Sequence, residues 1–551
     1  MAETPYFDCN VQFGRSCARM PKAPIDKPGL LAEMDHCRIS RALVFHAAAR
    51  ELDSRPANRE LARQIGGEKR LAGMAVINPA PWERDRGLAA ELEEWLALGF
   101  RAFRFFPGWH SFSLTDPALR PVLAGLAEKK LPVWLDYDSF WYNFRQLGQH
   151  EQRAVDLAAV ERLAGEYPDL PIVVVGLNFS HQTGLFGLLD RTGNVFAETS
   201  LLQGFEQISR ICRNWGASRL LFGTGMPVTA PGASRAMLAY AEISEEERLA
   251  IACGNLERLL DLDRTPSLSA EEDRSRIVLD VDQGRPLARI PVIDLHGHIA
   301  RPGFDGIMGL SLGPQDADSI VNRIDRVGIR AVAVSSWEID GGDTVAGNFV
   351  AAEAAAKYPG RILPYAAVNP NYPEDWQTTV EEFFRLRKFF GFKPYPTSQR
   401  RAISDPSFRD MLEFADRQGL PILCHLGFEP LAGVSPGEIR LLAPRYPRAQ
   451  FLLAHSGASY RLADTVIPLA LEFDNVWLEI NYTSVPFGML AYLAEQAGTE
   501  KVLFGTDTPM RDPSPILGWV VYDHLADSQR AAILGGNALA LMAKTGFSLP
   551  G

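Results

Sequence analysis

Residues 292–298 read Val292-Ile293-Asp294-Leu295-His296-Gly297-His298, and the same pattern without its histidines stands near the start of the chain as Tyr6-Phe7-Asp8-Cys9-Asn10-Val11-Gln12. Further matches follow in the same order. Leu131-Pro132-Val133-Trp134-Leu135-Asp136 sets against Leu420-Pro421-Ile422-Leu423-Cys424-His425. Leu221-Phe222-Gly223-Thr224-Gly225-Met226-Pro227 sets against Leu503-Phe504-Gly505-Thr506-Asp507-Thr508-Pro509. Each half then closes with a Gly-Asn helix start, Gly254-Asn255 and Gly536-Asn537. Matches that keep their order and spacing mark an internal duplication, which constrains the architecture before any single element is read.

Within each half, short apolar runs rich in β-branched residues alternate with stretches of helical period, the pattern of βα units around a parallel sheet. In the second half the runs fall at 290–296, 329–335, 362–368, 390–394, 420–425, 450–455, 475–480 and 501–506. In the first half they fall at 5–10, 41–46, 71–77, 100–105, 131–136, 172–177, 194–199 and 219–224. Eight strands in roughly 260 residues is the size of one closed (β/α)8 barrel. The expected fold class is therefore α/β, two fused TIM-like barrels of parallel strands, divided as 1–285 and 286–551 with a polar connector from about Thr265 to Pro286. An open doubly wound sheet is the alternative, but no GxGxxG follows a first strand to support it.

Composition narrows the class of function. The chain of 551 residues carries 56 Lys and Arg against 67 Asp and Glu, a formal charge of −11, with no long basic run. That balance argues against nucleic acid or an anionic membrane as partner and leaves a small molecule. The longest apolar stretches fall far short of the roughly 20 residues that cross a bilayer. The opening MAETPYFDCN has neither the basic nor the apolar region of a secretory signal. Six cysteines without a CxxC pair read as reduced thiols, so a cytoplasmic location is expected.

Barrel active sites lie at the C-terminal ends of the strands. Ten histidines divide five and five between the halves, yet four of the second half's five fall at such ends. These are His296 and His298 on strand 1, His425 on strand 5 and His455 on strand 6; Asp507 ends strand 8 and Lys393 ends strand 4. Residues two apart on a strand share a face, so His296 and His298 point together into the barrel mouth. Imidazoles with a carboxylate suit one divalent ion, Zn²⁺ first, with Mn²⁺ or Fe²⁺ also compatible. Such an ion acidifies a water toward neutrality, an Asp beside it takes the proton, and a further His polarises the bond under attack.

With these residues in place the chain resembles the amidohydrolase superfamily, in its amidohydrolase-2 branch of metal-dependent TIM-barrel hydrolases and decarboxylases. The resemblance rests on Ile293–His298, Gly391-Phe392-Lys393, Pro421–Gly427, Phe451–Gly457 and Leu503–Pro509. It implies His296, His298, His425 and Asp507 as metal ligands, and Asp507 and His455 as the catalytic pair. Lys393 is either a carboxylated bridge between two ions or a group that meets a substrate anion. Its first-half counterpart, Arg104, cannot form such a bridge, which favours a single ion. Arg511 is a candidate carboxylate clamp by bidentate hydrogen bonding, and Trp337, Tyr395 and Tyr482 are candidate aromatic walls. Glu479 and Glu198 match between the halves, which points to a shared structural role, and Cys424 should turn into the core. The implied reaction is hydrolysis of a bond in a small, carboxylate-bearing molecule, with non-oxidative decarboxylation of an aromatic or unsaturated acid as the alternative.

In the first half each of the metal-ligand and catalytic positions is different. His296 becomes Asn10, His298 becomes Gln12, His425 becomes Asp136, His455 becomes Gly176 and Asp507 becomes Gly225. Amides are poor zinc ligands and glycine offers none, so the first barrel is expected to lack a metal. The resemblance implies that it serves as a tethered pseudo-dimer partner, with loops such as Trp109-His110 or Trp141-Tyr142 within reach of the second site. Further oligomerisation is compatible with this arrangement.

Overall fold

A computed structural model describes residues 4–18, 20–79, 87–137, 155–268, 274–304, 306–307, 310–339, 342–427 and 433–549. Trp141, Tyr142 and His150 lie outside these. The chain divides into two compact units, Met1–Arg274 and Ser275–Gly551. The division lies within the connector, and the helix Arg276–Asp282 belongs with the second unit, where Tyr522 Oη donates to Asp282.

Each unit is a parallel eight-stranded barrel with its strands in sequence order. In the first they are Phe7–Phe13, Arg41–His46, Leu71–Val76, Ala102–Phe105, Val133–Asp136, Ile172–Val175, Val195–Glu198 and Leu220–Leu221. In the second they are Val292–Ile299, Ile329–Ser336, Ile362–Ala366, Gly391–Phe392, Pro421–His425, Gln450–Ala454, Val476–Ile480 and Val502–Phe504. All sixteen fall where the apolar runs place them. Strands such as Ile172–Val175 and Val476–Ile480 are buried throughout, as expected where a parallel sheet is covered on both faces. A two-stranded hairpin, Gly306–Ile307 with Leu310–Ser311, is an addition the sequence pattern does not announce.

Helices between the strands begin and end on local signals. Asp316 caps Ala317–Val327 by accepting from Asp318 and Ser319 N–H, and Gly328 ends that helix at φ 85°. Its buried residues Ile320, Val321, Ile324 and Val327 form the apolar stripe that packs inward. Matching asparagines brace both barrels. Asn194 and Asn475 each donate through Nδ2 to three carbonyls, and Asn255 and Asn537 each donate to two.

Closure depends on one buried carboxyl group in each barrel. Asp294 accepts from His296 N–H at 2.9 Å, Thr506 N–H at 3.0 Å and Thr506 Oγ1 at 2.5 Å. Asp8 accepts in the same way from Asn10 N–H and Thr224 N–H, both at 3.0 Å, and from Thr224 Oγ1. The first and eighth strands are thereby latched. Backbone bonds continue the seam from Asp507 N–H to His296 O and from His298 N–H to Thr508 O, each 2.6 Å. The latched strand carries a bulge at the same place in both barrels, between Asp8 and Val11 and between Asp294 and Gly297. Such a bulge re-aims side chains next to a site.

Burial raises the carboxyl pKa of Asp8 from 3.8 to about 7, against hydrogen bonds that lower it. A carboxyl group whose folded pKa lies above its unfolded value contributes stability that is complete below about pH 4 and is lost as pH rises through about 7. Asp8→Asn should therefore flatten the fall in unfolding midpoint between pH 4 and 8, by an amount on the order of 2–4 kcal/mol. Parallel midpoint curves for wild type and variant would contradict this account.

Candidate metal centre

The latch places three side chains of the second barrel together. His296 and His298 project from the first strand, and Asp507 stands three residues beyond the eighth strand, on the turn that Thr506 anchors. The donor atoms of His296, His298 and Asp507 all lie within 4.8 Å of one another. His298 Nε2 is 3.0 Å and His296 Nε2 3.5 Å from Asp507 Oδ1. Atoms that share an ion at about 2.0–2.2 Å are themselves roughly 3–3.5 Å apart, so these three fit a divalent cation.

Around this group the side chains are ordered by further contacts. His298 Nδ1 lies 3.2 Å from Ser335 Oγ, which in turn is 2.7 Å from Tyr395 Oη. The Trp337 ring stacks on His298 at 3.7 Å, and its indole N–H finds no partner among the described residues. Arg511 is not a solvated loop charge: it is 5% exposed, donates to Asp507 Oδ2 through Nη1 and reaches Thr483 Oγ1 from Nε at 2.8 Å. Lys393, 2% exposed, sits with Nζ 2.8 Å from His296 Nε2. His455 Nε2 is 3.1 Å from His425 Nδ1. His425 is not drawn into the three-residue group. Its ring is open to solvent at the mouth, whereas His455 beside it is buried.

The electrostatics follow from burial. Desolvation, with Lys393 next, holds His296 well below the ordinary histidine value, and desolvation brings His455 down to about 4. Both are neutral near pH 7, as an imidazole that ligates an ion must be. For Asp507 burial alone would favour the acid, but Arg511 and the histidines overcome it and hold the carboxyl well below its ordinary range. Cys424 is buried with its thiol pushed up by desolvation.

The amidohydrolase family matches the chain twice, over residues 13–262 and 293–542. The chain belongs to the amidohydrolase family. As an amidohydrolase it is an enzyme, and a metal-dependent one. Solved structures similar to it include 2,6-dihydroxybenzoate decarboxylase from Rhizobium, with 17% identity over 46% of this chain and 99% of that one and a TM-score of 0.38. Another is 5-carboxyvanillate decarboxylase from Novosphingobium aromaticivorans, complexed with manganese and 4-hydroxy-3-methoxy-5-nitrobenzoic acid, with 15% identity over 47% and 97% and a TM-score of 0.36. A third is an uncharacterized TIM-barrel protein from Bordetella bronchiseptica, with 17% identity over 47% and 98% and a TM-score of 0.37. No curated protein matches the chain.

The first barrel of this amidohydrolase keeps the frame and replaces the contents. Arg104, the counterpart of Lys393, donates to Asn10 Oδ1 at 2.7 Å and to Asp136 Oδ2 at 2.5 Å. A guanidinium thus joins the residues that stand where His296 and His425 stand in the second barrel. Arg50 donates to Gln12 Oε1 at 3.2 Å. Two of the first-half histidines make local contacts: His46 Nδ1 accepts from Ala48 N–H, and His110 Nε2 lies against Arg50 O. Glu198 and Glu479 keep a common task, accepting from Gly176 N–H at 3.0 Å and His455 N–H at 3.2 Å. Gly223 and Gly505 let those carboxyl groups approach, since a Cβ there would come within 2.5 Å and 2.0 Å of them.

Two features of the site escape sequence reading. One is Asn481, which stands one residue past the end of the seventh strand, between His296 and His455. The second feature is backbone conformation. His455 and Asp507 adopt φ of 67° and 62°, and their first-barrel counterparts Gly176 and Gly225 adopt 82° and 72°. Left-handed φ costs a side-chain-bearing residue about 1 kcal/mol or more and costs glycine little. In the first barrel glycine takes both left-handed positions. Asp507→Gly should accordingly be more stable than Asp507→Ala by about 1 kcal/mol in urea unfolding. Equal stability of the two variants would remove the strain argument.

Proposed function

We propose that the second barrel is a metal-dependent hydrolase of a small, carboxylate-bearing molecule. The supporting observation is Asp507, whose Oδ1 faces His296 and His298 while Oδ2 is taken by Arg511. Held well below its ordinary range, this carboxyl group is ionised near neutral pH, the form that ligates an ion and takes a proton from water rather than the acid form that protonation of carbon would draw on. The ligands proposed are His296, His298, Asp507 and His425, the last after a rotation of its open ring toward the other three. A divalent ion bound there, Zn²⁺ or alternatively Mn²⁺ or Fe²⁺, supplies Lewis acidity and lowers the pKa of water. Asp507 then receives the water's proton, and His455 hydrogen-bonds to the oxygen of the bond under attack. Lys393 and Arg511, the two basic side chains at the site, meet the substrate carboxylate. Trp337 and Tyr395 form its walls.

The second reading is decarboxylation of an aromatic or unsaturated acid. What favours it is the company of two buried cations, Lys393 and Arg511, with the aromatic rings of Trp337, Tyr395 and Tyr482. Under either reading the first barrel holds no catalytic ion and acts as the tethered partner of the second.

Purified protein should contain about one equivalent of a divalent transition metal by elemental analysis, and His296→Ala with His298→Ala should contain none; wild type free of such metal would refute the assignment. A panel of carboxylic acids, lactones and cyclic amides in H₂¹⁸O then separates the reactions. Label in the product supports hydrolysis, and trapped CO₂ without label supports decarboxylation.

A further inference from the structure

Asn481 is fully buried and bridges the two buried histidines of the site. One end of its amide lies 2.9 Å from His296 Nδ1, and the other contacts His455 Nδ1. As placed, Nδ2 faces His296 and Oδ1 faces His455. The two ends of an amide have nearly the same shape, so the neighbouring hydrogen bonds decide which is which.

Those neighbours speak through His296. Its Nε2 lies 2.8 Å from Lys393 Nζ and faces Asp507. A lysine ammonium offers donors only, and a metal ion likewise requires a lone pair. With either cation at Nε2, the proton of the neutral ring must sit on Nδ1. Nδ1–H then needs acceptors. Glu479 Oε2 is one, at 3.2 Å. An Asn481 amide N–H at 2.9 Å would oppose it donor to donor, whereas the amide oxygen in that place accepts.

We propose that Asn481 is a positioning residue that transmits the protonation pattern of His296 to His455, presenting Oδ1 to His296 and Nδ2–H to His455 Nδ1. The inference rests on the ligand role proposed for His296. The consequence falls on His455: its Nδ1 carries the lone pair and its Nε2 carries the proton. Nε2 lies 3.1 Å from His425 Nδ1, on the side where substrate would enter. His455 is therefore a hydrogen-bond donor to substrate oxygen rather than a base, and the base is left to Asp507. The backbone carbonyl of Asn481, 3.2 Å from His455 Nδ1, favours the other tautomer. Against it stand the two contacts that fix the His296 proton, Lys393 Nζ at Nε2 and Glu479 Oε2 at Nδ1.

The test is ¹⁵N-histidine NMR of the full chain, metal-free and loaded with diamagnetic Zn²⁺, with the His455 signals assigned by their loss in His455→Gln. An imidazole nitrogen without a proton resonates far downfield of one that carries it. In both samples His455 should show Nε2 protonated and Nδ1 downfield. In Asn481→Asp the new carboxylate can only accept, so the His455 proton should move to Nδ1 while His296 keeps its own. Wild-type His455 protonated at Nδ1 would overturn the proposal, as would unchanged shifts in Asn481→Asp. Asn481→Ala should weaken Zn²⁺ binding about 10- to 100-fold, the usual effect of removing a ligand's hydrogen-bonding partner; unchanged affinity would count against the relay. If Asn481→Asp does not fold, the wild-type spectrum still decides. Failure to bind Zn²⁺ at all would defeat the metal reading but leave this one testable, because Lys393 demands the same tautomer of His296 in the metal-free chain.

Discussion

The carboxyl group of Asp294 is the contact on which the second barrel depends. It is fully buried, raised to a pKa of about 7 by desolvation, and shared between the backbone of its own strand and Thr506 on the eighth. By joining the first strand to the last it closes the sheet, and the turn it anchors brings Asp507 to His296 and His298. Closure and assembly of the site are thus one event. Asp8 performs the same closure in the first barrel, where Asn10, Gln12 and Gly225 stand in place of His296, His298 and Asp507, so the latch is common to both barrels whatever the strand ends carry.

Comparison of the two barrels within one chain shows what the fold needs and what function adds. The latch, the glutamate at the end of the seventh strand and the asparagine braces are common to both. The differences collect at the strand ends, where histidines and an aspartate in left-handed conformations give way to glycines, and a lysine beside a histidine gives way to an arginine locked between Asn10 and Asp136. Strain kept only where the side chain is useful is the expected mark of a working site.

Burial governs the electrostatics of that site. Desolvation keeps His296 and His455 neutral, and Arg511 keeps Asp507 ionised where desolvation alone would protonate it. The cluster therefore offers imidazole nitrogens and a carboxylate oxygen together near neutral pH, the combination a divalent ion requires.

Much of this was legible in the sequence. The duplication, the sixteen strands and the candidate residues His296, His298 and Asp507 follow from order, spacing and residue type, because strand periodicity and the position of a strand's end are local properties. The bulge in the first strand, the positive φ of His455 and Asp507, the pairing of Arg511 with Asp507 and the bridge made by Asn481 were not legible. Each depends on which groups meet across the barrel, as His296 meets Glu479 from 183 residues away. By itself, then, the sequence determined that this protein is one barrel written twice, with the set of histidines at the ends of strands 1, 5 and 6 in the second copy. Only the tertiary structure decided which of those side chains face one another and which proton each ring must carry, because hydrogen-bond direction is set by partners in space and not by neighbours in the chain.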